Sequence, residues 1–285
     1  MKKVSFCGIS GSGMSALAQV LVVKGYDVSG SDRSFDQGKD YNNKKALESI
    51  GIKIFEQNGD AINSDTDYLY VSTAVEESIA DVKKALKLGV TIKKRSDLLA
   101  EIFNTSDCGI AVGGTSGKTT VTAMIGFILD KLNLRPTMIN GGLLKNYMHK
   151  KGIPNVILNE DSAFCVIEAD ESDGSIEKYT PHIAVVNNIT IDHKPIEELQ
   201  SLFSNFVNKA TKGAVINLDC KNSEILLGHA KNTVTFSIKN PNADVYLSDI
   251  KPLPDGVTYK LNNKQYKLKL TGSFNVANEI GRAHV

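Results

Sequence analysis

The 285-residue sequence has no tryptophan, only four cysteines and almost no net charge. Its 33 Lys and Arg residues against 32 Asp and Glu leave a formal charge of +1, so it lacks the basic excess that neutralises a nucleic acid backbone. The cysteines are widely separated and form no CxxC pair, which argues against a zinc site or a disulfide framework. We therefore expect reduced cysteines, a cytoplasmic location and no nucleic acid partner.

Long apolar runs are also absent. The apolar stretch that follows the two N-terminal lysines breaks at Gly8, well short of the roughly 7 to 15 residues of a signal peptide core. No other run approaches the roughly 18 apolar residues of a membrane span, so we expect no membrane partner. What remains, at 41% hydrophobic and 23% charged residues, is the composition of an ordinary globular protein, long enough for about two domains.

Short β-branched runs alternate with helical patterns through the first hundred residues. This order predicts a doubly wound α/β domain built on a parallel sheet. Three of the helical patterns end in glycine, at Gly25, Gly51 and Gly89, the residue type best suited to the left-handed position after a helix. A polar patch at 104–107 predicts a linker, and we place a Rossmann-like first domain at residues 1–104.

A second α/β domain is predicted to begin at residue 105, where a new apolar strand leads into a glycine-rich loop and a long helix. From about Asn232 the pattern consists of short strands only. Such a pattern favours a small antiparallel sheet over further crossover connections. We therefore predict a P-loop-type α/β domain with an added antiparallel sheet at residues 105–278.

The glycine-rich loop, GGTSGKTT at residues 113–120, has the strand-to-helix context that a phosphate-binding loop requires. Glycines let backbone N–H groups surround phosphate oxygens, the helix N-terminus adds partial positive charge, and Lys118 can reach the outer phosphates. The general pattern GxxxxGK[ST] needs a glycine where this sequence has Val112. The loop predicts nucleotide triphosphate binding, and the alternative is a glycine-rich helix entry with a coincidental lysine.

Four acidic residues follow a buried-looking strand in the second domain: Glu168, Asp170, Glu171 and Asp173. Ligands of open α/β sheets bind at the carboxyl ends of the strands, so these side chains are expected to face the phosphate loop. Carboxylates beside a triphosphate repel it unless a divalent cation lies between them, which implies Mg²⁺. The alternative is an acidic loop solvated at a strand end.

A second glycine loop follows the first strand of the chain. Gly11-x-Gly13-x-x-Ala16 satisfies the dinucleotide fingerprint, and Asp32 ends the second strand near the position that binds a ribose. Taken alone, this pattern suggests a nicotinamide-dependent oxidoreductase. A glycine fingerprint identifies a pyrophosphate, however, and a UDP-sugar also carries one. A tight turn without a ligand is the third possibility.

Several segments resemble the Mur ligases, the ATP-dependent amide-forming enzymes of peptidoglycan synthesis. In the second domain they are GTSGKTT (114–120), EADESDGS (168–175), NNITIDH (187–193) and GSFNVAN (272–278). In the first domain GISGSGMSALA (8–18) and VSTAVEES (71–78) resemble segments of the alanine-adding branch. The sequence departs from the family pattern at the following positions: Ser10 for Gly, Asn187 for Thr, Lys194 and Pro195 after the histidine, and Phe274 for His.

The resemblance implies roles for individual residues. The implied catalytic residues are Lys118, Glu168, Asn188 and His193. The implied Mg²⁺ ligands are Thr119, Glu168 and His193. The implied ATP-binding residues are Gly114, Thr115, Ser116, Gly117, Lys118, Thr119, Thr120, Asn275 and Asn278. The implied UDP-substrate residues are Gly8, Gly11, Ser12, Gly13, Met14, Ser15, Asp32, Ser72 and Thr73.

The resemblance also implies a reaction, in which an ATP-dependent ligase joins an amino acid or peptide amine to the carboxylate of UDP-N-acetylmuramate through an acyl phosphate. The implied cofactors are ATP and Mg²⁺, and the motifs identify neither the amine nor an oligomeric state. A nicotinamide-dependent oxidoreductase and a non-catalytic nucleotide-binding fragment remain as alternatives. In this family a C-terminal domain follows GSFNVAN, so we expect residues 279–285 to be an artefactual tail and that domain to be absent.

Overall fold

The computed structural model describes residues 1–72, 76–191 and 194–283. Contacts within the chain divide it into two compact units. The first comprises Met1–Thr105 and Arg135–Ser162, and the second comprises Ser106–Leu134 and the chain from Ala163 onward. The polypeptide therefore enters the second unit, returns to the first for one short segment and then completes the second.

Strands and helices largely alternate through Met1–Thr105. The elements are β1 (Lys3–Cys7), α1 (Ser12–Val23), β2 (Asp27–Ser31), α2 (Arg33–Asp36), α3 (Tyr41–Glu48), β3 (Lys53–Phe55), β4 (Tyr68–Val71), α4 (Ala80–Leu88), β5 (Thr91–Lys94) and α5 (Arg95–Asn104). Gly25, Gly51 and Gly89 all have positive φ angles after helices, which confirms the predicted glycine helix ends.

The five strands of the first sheet are all parallel, in the order β3-β2-β1-β4-β5. This confirms the predicted doubly wound parallel sheet. Phe6 of β1 and Leu69 of β4 have no exposed surface, as expected of a parallel sheet shielded on both faces. The chain order reverses on either side of β1, so the loop after β1 lies at the switch point where open α/β sheets bind ligands.

The rest of the chain contributes three further α-helices and eleven strands within the described residues. They are β6 (Cys108–Gly113), α6 (Lys118–Lys131), β7 (Thr137–Ile139), β8 (Val156–Ile157), β9 (Phe164–Glu168), β10 (Ile183–Val186), α7 (Ile196–Asn208), β11 (Gly213–Asn217), β12 (Thr233–Ser237), β13 (Val245–Tyr246), β14 (Ser248–Leu253), β15 (Gly256–Leu261), β16 (Lys264–Leu268) and α8 (Ser273–Ala283). The backbone of residues 279–283, in the expected tail, thus continues α8.

The second unit contains a parallel sheet in which β9, β6, β10, β11, β12 and β13 are paired in that order. The predicted antiparallel sheet exists, but it consists only of β14, β15 and β16. The prediction was wrong for β12 and β13, which extend the parallel sheet. The connection from β11 to β12 contains a short 3₁₀ helix, Lys221–Leu226. This helix is too short to show an α-helical periodicity in the sequence.

The returning segment is held to the first unit by buried side-chain hydrogen bonds. It contains the antiparallel pair β7 and β8. Gln19 of α1 donates to the Ile153 carbonyl and to Asn155 Oδ1, at 3.2 and 3.0 Å, and its Oε1 accepts from the Ile153 N–H at 2.9 Å. Gln19 is only 1% exposed, so these bonds are shielded from water. Residues 153–155 are therefore fixed against α1.

None of the helices in the described ranges combines the length and the apolar character needed to cross a membrane. All four cysteines are free. Cys7 is buried in β1, and the loss of solvation raises the pKa of its thiol to about 12. A thiol with that pKa stays protonated at neutral pH and does not act as a nucleophile.

Candidate functional site

The loop between β6 and α6 has a backbone that only glycine adopts easily. Gly114 has φ +139° and Gly117, at the helix N-cap, has φ +83°. A Cβ atom on Gly117 would lie 2.4 Å from Nδ2 of Asn187, and one on Gly114 would lie 3.1 Å from the backbone nitrogen of Asn188. The glycines therefore permit both the turn and its close approach to the segment after β10.

Asn188, predicted to line the active site, fixes the shape of this loop. Its Oδ1 accepts from the Thr115 hydroxyl at 2.8 Å and from the Ser116 N–H at 2.9 Å. Its Nδ2 donates to the Ser116 carbonyl at 2.9 Å, and its own carbonyl accepts from the Thr115 N–H at 3.1 Å. A single asparagine thus forms hydrogen bonds with both Thr115 and Ser116, the predicted ATP-binding residues in the middle of the loop.

The side chain of Lys118 lies along the loop. Its Nζ donates to the Gly114 carbonyl oxygen and to Oε2 of Glu171, each at 2.8 Å. Glu171 is 3% exposed, which makes this ion pair a nearly buried one. The sequence places Glu171 in an acidic cluster but gives no sign that it pairs with the loop lysine, because that contact joins residues on two separate strand ends.

Two predicted Mg²⁺ ligands lie side by side, since the Thr119 hydroxyl donates to Oε2 of Glu168 at 2.8 Å. A hydroxyl and a carboxylate oxygen are the hard ligands that Mg²⁺ takes, together with phosphate oxygens and water, so the residues present fit this ion. Within the described ranges no three His, Cys, Asp or Glu side chains converge into a metal site. The third predicted ligand, His193, lies outside the described residues.

The other two acids of the cluster stabilise turns. Asp170 accepts from the backbone and the hydroxyl of Ser172 at 3.0 and 2.8 Å. Asp173 accepts from the Ser175 N–H at 2.8 Å. Side chains that accept from their own backbone two residues further on are typical of turns. The structure therefore separates the cluster into two residues at the loop, Glu168 and Glu171, and two that shape the chain after β9.

Residues of α8 meet the loop through Asn187. The Asn187 Nδ2 donates to the Ser116 carbonyl and to Oδ1 of Asn278, both at 3.0 Å. Asn278 in turn donates to Asn275 at 3.2 Å, so both predicted ATP-binding asparagines belong to one network. Beside them lies a cavity of about 450 Å³, lined by Ser116, Gly117, Thr120, Asn187, Asn188, Asn217, Phe274, Ala277 and Asn278.

In the first unit, the loop after β1 is pinned to the end of β2. Gly8 has φ +85°, and its N–H donates to the Ser31 carbonyl at 2.9 Å. Asp32, predicted to lie near a ribose, accepts from the Ser10 N–H at 2.8 Å and from the Ser34 N–H at 2.9 Å. Asp32 therefore holds the glycine loop and caps α2 at the same time.

The remaining predicted substrate residues of the loop differ in accessibility. Met14 and Ser15 are 2% and 1% exposed, and Asn155 donates to the Ser12 carbonyl at 2.8 Å and to the Ser15 hydroxyl at 3.2 Å. The accessible part is Gly11 to Gly13 at the start of α1. Ser72 directly follows β4 and is half-buried, and Thr73 lies outside the described residues.

Arg95, at the start of α5, is a residue that the sequence reasoning missed. A Cβ atom on Gly13 would lie 3.1 Å from Cδ and 3.2 Å from Nη1 of Arg95, so the guanidinium borders the start of α1. A cation beside a glycine-rich helix N-terminus is suited to a phosphate or diphosphate group. Its position directly after β5, at the carboxyl end of a parallel strand, was the available signal.

Comparison with known proteins gives a family for both parts of the chain. Residues 3–106 match the family described as Mur ligase family, catalytic domain, and residues 112–282 match the Mur ligase middle domain. The chain is 34% identical over 295 residues to the UDP-N-acetylmuramate–L-alanine ligase of Fusobacterium nucleatum, an alignment that covers 98% of this chain and 59% of that protein. The chain thus spans about three fifths of the length of the curated relatives it matches.

Solved structures share the fold. The UDP-N-acetylmuramate-alanine ligase of Thermotoga maritima has a TM-score of 0.83 at 24% identity, over 99% of this chain and 64% of its own. The UDP-N-acetylmuramate:L-alanyl-gamma-D-glutamyl-meso-diaminopimelate ligase of Neisseria meningitides has a TM-score of 0.81 at 24% identity, over 99% and 92%. The family matches extend over most of the sequence, and the chain belongs to the Mur ligase family.

Proposed function

We propose that this chain carries the ATP site and the UDP-substrate site of an ATP-dependent ligase. The reaction joins the amine of an amino acid or peptide to the carboxylate of a UDP-N-acetylmuramate-type substrate, in peptidoglycan synthesis or recycling. The observation that carries the proposal is the phosphate loop, where Lys118 and the Thr119–Glu168 pair lie at the start of α6. The three relatives named above are ligases by name, which supports the reaction and gives no support to a nicotinamide-dependent enzyme.

The proposed reaction has two steps. A carboxylate oxygen of the substrate attacks the γ-phosphorus of ATP, which forms an acyl phosphate and releases ADP. The amine nitrogen then attacks the acyl carbon, the tetrahedral intermediate expels inorganic phosphate, and the amine loses a proton. Because no protein nucleophile is needed, catalysis consists of positioning and of neutralising the charge of the phosphoryl group.

Each residue at the loop has a defined part in that reaction. The backbone N–H groups at the start of α6 and the Lys118 ammonium bind phosphate oxygens. Thr119 and Glu168 would hold Mg²⁺, which supplies further neutralisation of phosphate charge when bound. We assign the adenosine to the cavity of about 450 Å³, where Phe274, 66% exposed, offers a ring for stacking. Asn278 supplies amide groups at the same cavity.

The first unit binds the UDP group in this proposal. The N–H groups of Gly11 to Gly13 and the Arg95 guanidinium would contact the diphosphate, as at other glycine-rich helix starts. We propose residues 1–104 as the substrate domain and residues 105–278 as the ATP domain, with the returning segment Arg135–Ser162 grouped with the first unit. A cytoplasmic location follows from the free cysteines and from the two nucleotide substrates.

Isothermal titration of the chain with ATP in Mg²⁺, and separately with UDP-N-acetylmuramate, tests both sites. Lys118→Ala should weaken ATP binding by at least about tenfold, because it removes a charge-assisted hydrogen bond to phosphate. Lys131→Ala, at the opposite end of α6, is the matched control and should bind as the wild type does. ATP binding that is equal in the wild type and in Lys118→Ala would refute the loop assignment, and saturable NADH binding would favour the oxidoreductase alternative.

A further inference from the structure

The Lys118 ammonium has three N–H groups, and two of them are already used by the chain. They donate to the Gly114 carbonyl and to Glu171 Oε2, each at 2.8 Å. Within the described residues the third N–H has no partner. The ammonium is therefore held in one orientation, with one donor left for a phosphate oxygen.

Glu171 remains beside Lys118 because it has no open route into water. Its side chain is 5% exposed, and that of Lys118 is 17% exposed. The backbone after it is folded into a turn, in which its carbonyl accepts from the Gly174 N–H at 3.3 Å. A carboxylate this buried is stable only with a partner, so the pair with Lys118 is expected to persist when a nucleotide arrives.

The pair changes the charge that a nucleotide meets. Glu171 cancels the one lysine of the loop, and Glu168 adds a further negative charge at Thr119. A metal-free triphosphate, the more negative form of the nucleotide, gains less from a lysine paired with Glu171 than from an unpaired one, and it is repelled by Glu168. The metal-bound nucleotide is less negative, and its cation is attracted to the same carboxylate.

We propose that Glu171 is a positioning residue that orients the Lys118 ammonium and, by cancelling its charge, makes the phosphate loop select metal-bound over metal-free nucleotide. This inference rests on the proposed function of the loop as an ATP site. It assigns a role to a residue outside the predicted catalytic, metal-binding and ATP-binding sets. The role acts on the choice of nucleotide form and is separable from the folding of the loop.

The ratio of two dissociation constants tests this role. ATP binding is measured by calorimetry in Mg²⁺ and in EDTA, for the wild type and for Glu171→Gln. The glutamine oxygen still accepts from Lys118, so the variant removes the charge and keeps the hydrogen bond. The wild type should bind ATP at least about tenfold more tightly in Mg²⁺ than in EDTA, and Glu171→Gln should reduce this preference about tenfold, mainly by tighter metal-free binding.

Two controls accompany the neutral variant. Glu171→Asp keeps the negative charge and should keep most of the wild-type preference for the metal-bound form. Glu177→Gln removes an equal charge from an exposed position in the 3₁₀ helix at Ser175–Lys178 and should leave the preference unchanged. Thermal unfolding confirms that each variant is folded, and Glu171→Met is a second neutral variant should Glu171→Gln not fold.

The outcomes distinguish the role of Glu171 from the proposed function of the loop as an ATP site. An unchanged ratio in a folded neutral variant, in a wild type that binds ATP, overturns the role of Glu171 alone. An equal reduction in Glu177→Gln also overturns it, because the effect would then be one of overall charge. Failure of the wild type to bind ATP in either condition overturns the ATP site itself, and the inference with it.

Discussion

Replacement of Gln19 by methionine, a residue of similar shape without polar hydrogen-bonding groups, removes the buried amide that joins α1 to residues 153–155. The Ile153 carbonyl keeps a second donor, the Asn155 N–H at 2.8 Å. The Ile153 N–H and Asn155 Oδ1 lose their only partners in the described part of the chain. Each buried polar group left unpaired costs about 1–3 kcal/mol, so the free energy of unfolding should fall by about 2–6 kcal/mol.

Urea unfolding followed by circular dichroism measures this loss, since the chain has no tryptophan to serve as a fluorescent probe. Gln200→Met is the matched control: among the residues described, the Gln200 Nε2 donates only to the Asn222 carbonyl, at 3.2 Å, where solvent can replace it. The control should lose at most about 1 kcal/mol. Hydrogen exchange at the Ile153 amide should also accelerate in Gln19→Met. A loss no larger than that of Gln200→Met would refute the reasoning.

Two further substitutions test other parts of the structure. Gly117→Ala combines a positive φ with a Cβ 2.4 Å from Asn187 Nδ2. It should lower the free energy of unfolding by about 2–5 kcal/mol and weaken ATP binding. Wild-type values for both the stability in urea and the ATP affinity by calorimetry would contradict this. At Asp81, burial raises the pKa, although hydrogen bonds from Ser31 and Gly59 partly oppose it. Because the folded state raises the pKa of Asp81, the protonated carboxyl stabilises the fold fully below the ordinary carboxyl pKa of about 3.9. This stabilisation is lost as pH rises through the pKa that Asp81 has in the folded state. Asp81→Asn should therefore gain stability relative to the wild type from pH 4 upward, and parallel pH profiles for the two proteins in urea unfolding would contradict this.

The first sheet could be predicted from the sequence because its signals are local. Strand and helix patterns alternate, and glycines such as Gly25 and Gly89 mark helix ends within a few residues of the pattern they terminate. The grouping of residues 135–162 with the first unit leaves no such signal. It depends on hydrogen bonds of Gln19 with Ile153 and Asn155, which are far from it in the chain. The parallel pairing of β12 could not be predicted for a related reason, since the connection from β11 to β12 contains a short 3₁₀ helix in place of an α-helix.

The strand-loop-helix context of Gly117, Lys118 and Thr119 could be predicted for the same local reason, because these residues are consecutive and stand between a strand and a helix. Partners contributed by other strands could only be placed by the fold. Glu171 stood out in the sequence only as one acid among four, and Arg95 had no motif of its own. Both acquire a defined neighbour, the loop lysine and Gly13, only once the strand ends are brought together.

The Asn187 amide connects three other positions of the sequence, 116, 117 and 278. Its nitrogen faces two oxygens, of Ser116 and Asn278, so the amide cannot be turned over, and aspartate at this position would bring oxygen against oxygen. The same nitrogen occupies the space that any side chain at Gly117 would need. A shorter side chain at position 187, such as the threonine of the family pattern, would remove this donor from the Ser116 and Asn278 oxygens and open the space beside Gly117.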